Sequence, residues 1–362
     1  MDNHNYRRQA LEDALQSRIL VLDGAMGTMI QQKDLSAADF GGPALDGCNE
    51  NLVMTRPDVI LDVHRAYLQA GADIVESDTF GGTPIVLAEY QLADQAFDLN
   101  RTAATLARQA AEEFSRPGRP RFVAGSMGPT TRAITVTGGV TFDELKLSFY
   151  EQARGLAEGG ADLLLVETCQ DTRNVKAALL AILRVEKELG RKIPVMLSGT
   201  IETMGTMLAG QTADAFWASV AHADLLSIGL NCGTGPEFMT DHIRTLHEMV
   251  STRVSCYPNA GLPNEEGKYL ESPETLAAQL GRFADHGWLN LVGGCCGTTP
   301  AHIRAIAAAV EGKKPRVVPS PPRRSFYSGI ELVEAEESNR PLHVGERTNV
   351  IGSRLFKDLI AQ

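Results

Sequence analysis

Eight short runs of aliphatic and β-branched residues, each followed by an amphipathic stretch, recur along roughly the first 300 residues, and no other feature narrows the fold so far. The first four are ILVLD (19–23), ADIVES (72–77), RFVAGS (121–126) and ADLLLVE (161–167). IPVMLSG (193–199), ADLLSIGL (223–230), RVSCYP (253–258) and LNLVGG (289–294) complete the set. Between them, stretches such as RPDVILDVHRAYLQAG and TFDELKLSFYEQARGLAEGG space apolar residues three and four apart and close on the glycine that favours a helix C-terminus. Strand and helix in strict alternation imply parallel strands with crossover helices. A doubly wound open sheet usually stops near six strands, so eight pairs predict an α/β fold closed as a (β/α)8 TIM barrel.

The alternation lapses after residue 312. We divide the chain into a barrel over 1–312, a linker or strap over 313–340 (KKPRVVPSPPRRS, then the acidic ELVEAEESN), and a new strand and loop over 341–362. The last segment is expected to open a further domain of a longer polypeptide. Partners are limited by charge: a net −11 disfavours nucleic acid and anionic membrane, which need a basic surface. No run approaches the roughly 18 apolar residues of a membrane span, and the polar start MDNHNYRRQALEDALQ lacks a signal-peptide core. The expected location is cytoplasmic, where thiols stay reduced and six cysteines serve as ligands, nucleophiles or core residues.

A barrel carries its chemistry at the C-terminal ends of its strands. That rule selects the Asp23-Gly24-Ala25-Met26-Gly27 turn, Asp78-Thr79-Phe80, Ser126, Glu167, Asn231-Cys232-Gly233, Asn259 and Cys295-Cys296-Gly297. Three cysteines from two strand ends match the ligand count of a catalytic zinc (Zn2+), which keeps a fourth position open. Adjacent cysteines share a metal only where the chain has left strand geometry, and Gly293, Gly294 and Gly297 permit that bend. The competing readings are small buried hydrophobes or a redox pair. Cys48, Cys169 and Cys256 lack a matching partner and are read as core residues. Three thiolates give zinc a net charge of about −1, a poor activator of water but suited to a thiol substrate. A free thiol is only about 3% ionised at pH 7, so enforced ionisation gains roughly 30-fold, about 2 kcal/mol.

The turn after the first run should lie beside Cys295 and Cys296, because strands eight and one adjoin in a closed barrel. Its amides could cradle a carboxylate, with Glu167 and Asp23 accepting from an ammonium group and Ser126 completing the substrate-binding set. Taken singly, Asp23 and Glu167 read equally well as capping or strand-end carboxylates. Asn259 is a possible oxygen ligand to zinc when substrate is absent. The eight histidines, His64, His222 and His247 among them, are read as solvated or helix-face residues.

LDGAMGT, TRPDVILDVHRAYLQAGADIVESDTFG, GLNCGTGP, YPNAGLP and GGCCGTTPAHI resemble the homocysteine methyltransferase module over nearly all of residues 10–312. The tail VGERTNVIGSRLF is similar to the opening strand of the pterin (folate)-binding barrel that follows this module in cobalamin-dependent methionine synthases. The resemblance implies zinc on Cys232, Cys295 and Cys296, and homocysteine on the Asp23–Ala25 turn and Glu167. It also implies methylcobalamin presented by a cobalamin-binding module of the same polypeptide. Two alternatives stay open: a single-module homocysteine S-methyltransferase using betaine or S-methylmethionine, and a barrel whose zinc and thiols serve binding without turnover.

Overall fold

The structure, a computed structural model, describes residues 3–320, 325–343, 345 and 350–361. Eight parallel strands follow the predicted runs: β1 Leu20–Val21, β2 Ile74–Glu76, β3 Phe122–Met127, β4 Leu163–Cys169, β5 Val195–Gly199, β6 Ser227–Asn231, β7 Arg253–Tyr257 and β8 Leu291–Val292. Each pairs with its neighbour in sequence, β8 returns to β1 through Leu20↔Leu291 and Val21↔Val292, and a parallel bridge Leu22↔Ile74 joins β1 to β2. The barrel is closed. β1 and β8 are shorter than their runs because the chain turns away at Asp23 and Gly293. Irregular amide bonds, Asp23 N to Ile74 O and Gly294 N to Asp23 O, continue the contact where the ladder stops.

Side chains alternate between two cores, as a two-residue period requires. Leu20, Leu22, Ile74, Phe122, Leu163 and Leu165 fill the barrel interior. Val21, Val75, Val123 and Leu164 point outward into the layer shared with the helices. The helices begin and end on local signals. Thr141 and Glu144 form a capping box at the start of helix Phe142–Glu158, and Gly71 ends helix Pro57–Ala70 at φ 116°.

The barrel floor is plugged by the N-terminal helix Asn3–Ser17, which places Leu11, Ala14 and Leu15 in the interior core. Arg7 to Asp162 (2.7 Å) and Arg253 to Glu12 (2.5 Å) fasten it to the strand starts. After helix Pro300–Val310, Arg316 is buried beneath the barrel and donates to the carbonyls of His247, Val250 and Thr252. An antiparallel hairpin, β9 Phe326–Ser328 and β10 Leu332–Glu334, then docks on helix Ala213–Val220 through Ser328 Oγ to Ala215 O (2.7 Å) and Thr212 N to Ile330 O (3.1 Å). The strand expected within LHVGERTNV falls largely on residues 344 and 346–349, outside those described; helix Arg354–Ile360 lies beyond it. No described helix is long and apolar enough to cross a membrane.

One expectation is corrected here. His64 is not solvated: it sits fully buried on the inner face of helix Pro57–Ala70, where burial pushes its imidazole down to about 4. His222 is exposed and His247 half-buried.

Candidate active site

The three cysteines predicted as ligands converge at the C-terminal mouth of the barrel. Their sulfurs lie within 4.8 Å of one another, with Cys232 Sγ and Cys296 Sγ 3.8 Å apart. A tetrahedral zinc at about 2.3 Å from each sulfur spaces them about 3.8 Å apart, so the cluster fits that metal. Cys232 leaves β6 at φ 56°, a left-handed conformation that only a tightly determined surrounding sustains. Cys295 and Cys296 lie past the end of β8 in a turn closed by Thr298, whose amide (3.1 Å) and hydroxyl (2.7 Å) both donate to Cys295 O. Gly297 follows at φ 79°, and a Cβ there would stand 2.3 Å from Tyr269 Cβ. Glycine is therefore required, as the bend demanded.

The three thiols are electrostatically unequal. Hydrogen bonds from Cys232 and Cys295 hold Cys296 down to about 3, while Cys295 is pushed well above the usual thiol range by its bonds to Cys232 and Cys296 and by burial. A divalent cation removes that inequality, since all three ligands ionise against it.

Beside the cysteines, three carboxyl groups line the cleft floor, Asp23 and Glu167 buried and Glu76 half-buried. Glu167 ends the apolar run of β4 at an irregularity in the β4–β5 register, the kind of bulge that re-aims a side chain, and Ser126 Oγ donates to its Oε1 at 2.5 Å. Burial lifts Glu167 to about 7. Asp23 accepts from the Glu76 amide at 3.0 Å. Its Oδ1 and the Oε1 of Glu76 are buried without a hydrogen-bond partner. Burial, and after it the charge of Glu167, pushes both well above the usual carboxylate range. Among the described residues no cationic side chain relieves the three, so the unsatisfied oxygens point to a ligand ammonium.

The Asp23–Ala25 turn stands where barrel closure put it. Ala25 N donates to Thr298 Oγ1 (3.2 Å) and Ala25 O accepts from Tyr67 Oη (3.0 Å). The amides of Asp23 and Ala25 are thus already committed, leaving Gly24 and the residues after it to meet a carboxylate. A Cβ on Gly24 would lie 2.7 Å from Thr298 Oγ1, so the turn tolerates no side chain there. Asn259 Oδ1 accepts from the Cys296 amide at 3.1 Å, next to the cluster. Cys48, Cys169 and Cys256 are buried and isolated, as expected of core residues.

Two site residues escaped the sequence reading. Glu76 was absorbed into the run ADIVES, although the two-residue period that turns Ile74 inward turns Glu76 inward as well. Tyr269 comes from the loop after β7 and packs against the Cys296–Gly297 turn; nothing local in the sequence marks it. Both line a cleft of about 820 Å3 with the cysteines and Glu167 on its walls.

The homocysteine S-methyltransferase family model matches residues 20–310. Crystal structures of the homocysteine methyltransferase MmuM from Escherichia coli are similar. The oxidized form superposes with TM-score 0.68 at 26% identity, covering 83% of this chain and 98% of that one. The metallated form gives 0.66 at 25% identity over the same shares. With the barrel, the three-sulfur cluster and the carboxyl floor in place, this match over residues 20–310 shows that the chain belongs to the homocysteine S-methyltransferase family.

Proposed function

We propose that the barrel holds zinc on Cys232, Cys295 and Cys296 and methylates the sulfur of homocysteine to give methionine, with methylcobalamin as donor. The observation that carries the reading is the three sulfurs, all within 4.8 Å of one another, set beside a carboxyl floor with two unsatisfied oxygens. Zinc bound there supplies ionisation of the substrate thiol at neutral pH. The chain's own residues do the positioning. Glu167, held by Ser126, and Asp23 accept from the ammonium, and Glu76 adds a third carboxyl; the amides of Gly24 and of the residues after Ala25 receive the carboxylate. The sulfur is thereby directed at the cysteines and the thiol proton passes to solvent. Asn259, with a second lone pair on Oδ1, is the oxygen donor for the open metal position when substrate is absent.

The donor rests on VGERTNVIGSRLF, whose similarity to the start of a pterin-binding domain supports assigning 341–362 to such a domain, 313–340 to a strap and 1–312 to the barrel. A cobalamin-binding module of the same polypeptide then presents the methyl group, in the cytoplasm where the thiols stay reduced. A second reading, a single-module enzyme using betaine or S-methylmethionine, is favoured by the 98% coverage of the E. coli chain. X-ray absorption at the zinc edge tests the site: homocysteine should add one sulfur ligand, and an unchanged spectrum refutes it. Assays with each of the three donors separate the two readings, since only the first predicts methionine formation from exogenous methylcobalamin.

A further inference from the structure

Asn231 lies at the end of β6, fully buried, and every polar atom of its side chain has an identified role. Its Oδ1 accepts the Thr168 amide at 2.9 Å, and its Nδ2 donates to Thr168 Oγ1 at 2.7 Å and toward Cys295 Sγ at 3.9 Å. The Thr168 amide can only donate, so Oδ1 must face it and the second N–H must face the sulfur. Thr168 and Cys232, the residues following Glu167 and Asn231, are two of the four non-glycine residues with positive φ among those described, at 52° and 56°. One side chain thus ties the strained exit of the strand bearing Glu167 to the cysteine cluster.

We propose that Asn231 is a positioning residue that sets both the orientation and the electron donation of Cys295 as a metal ligand. An N–H directed at a thiolate draws charge from the sulfur, and the clamp on Thr168 fixes that N–H relative to the ammonium-binding carboxyl of Glu167. Metal and substrate subsites are therefore held in register by one buried amide. The inference rests on the three-cysteine metal site proposed above.

Titration of the metal-free full chain with Co2+ tests both, because sulfur-to-cobalt charge transfer reports the ligands directly. The parent should show such a band; its absence would overturn the metal site itself and this inference with it. Given the band, Asn231→Ala should move it to lower energy and weaken cobalt binding, measured by chelator competition, about 10–100-fold. Asn231→Asp covers the case in which the alanine variant does not fold: it retains an acceptor for the Thr168 amide but replaces the N–H facing Cys295 with oxygen, and the band should move the same way at pH 8. Thr168→Ala, which removes only the hydroxyl acceptor, should leave the band in place. A band unmoved in the Asn231 variants that bind cobalt, or moved equally by Thr168→Ala, would overturn the role of Asn231 while leaving the metal site intact.

Discussion

Replacing Glu167 with glutamine should make the metal-free protein more stable and a poorer binder of homocysteine. The carboxyl is buried and its pKa stands at about 7 against an ordinary 4.5. A carboxyl raised on folding binds more protons in the folded state, so its contribution is fully present below pH 4.5 and is lost as pH rises through 7. At about 1.4 kcal/mol per pKa unit, ionised Glu167 destabilises the folded chain by roughly 3 kcal/mol at pH 8. Glutamine keeps an oxygen for Ser126 and removes that charge, which should raise the midpoint of thermal unfolding by a few degrees at pH 8 and hardly at all at pH 4.5. Binding moves the other way. Losing a charge-assisted bond to the ammonium removes about 1.5–3 kcal/mol, a roughly 10- to 150-fold weaker homocysteine affinity. Because the thiol sheds its proton on binding zinc, affinity falls with pH in both proteins, and the parent should show a further fall below 7, limited to that roughly 10- to 150-fold, which the glutamine variant lacks. Calorimetry of metal-free protein at both pH values and homocysteine titrations of zinc-loaded protein check the two halves. A variant whose melting midpoint is unchanged or lower at pH 8, or whose affinity keeps the parent's pH dependence, would refute the buried-charge argument.

Cys296→Ala should abolish methyl transfer and lower zinc content, measured by metal analysis, while circular dichroism stays near the parent's; loss of the fold would mean the metal is structural. Gly297→Ala forces a side chain to within 2.3 Å of Tyr269 Cβ at φ 79°, and should weaken zinc binding at least tenfold by chelator competition. Leu15→Ala, in the floor plug, should destabilise the chain by about 2–5 kcal/mol in urea unfolding and leave the KM for homocysteine unchanged, since the plug lies at the far end of the barrel from the cysteines.

The barrel was legible because strand and helix periods are local properties. Each run from ILVLD to LNLVGG announces itself, and closure then dictates that the first and eighth adjoin. The cysteines were legible for a related reason: residues at strand ends converge on one face whatever the helices do between them. What escaped reading depends on contacts far apart in sequence. The N-terminal helix looks polar, and only the spacing of Leu11, Ala14 and Leu15 hints at a buried face; nothing local says that this face plugs a barrel. Tyr269 reaches the turn at Gly297 from a loop whose path no periodicity encodes. His64 was legible in position, four residues from both Ile60 and Leu68 on the apolar stripe, but its polar ring masked its burial. The hairpin Phe326–Glu334 hides within a stretch whose prolines and acidic residues read as linker.

The joining of β8 to β1 has a consequence for the order of events during folding. Leu20 and Leu291 pair across about 270 residues, which makes that seam among the most non-local contacts in the chain and among the last to form. The turn at Asp23 and the Cys295–Cys296 bend face each other across this same seam. A partly folded barrel that has joined β6, β7 and β8 already carries all three cysteines, yet it lacks the Asp23 turn and so the finished floor. The metal ligands can therefore assemble before the seam, whereas competence to hold the amino acid end of a thiol arrives only with the final closure, and homocysteine binding during refolding becomes a clock for the last step.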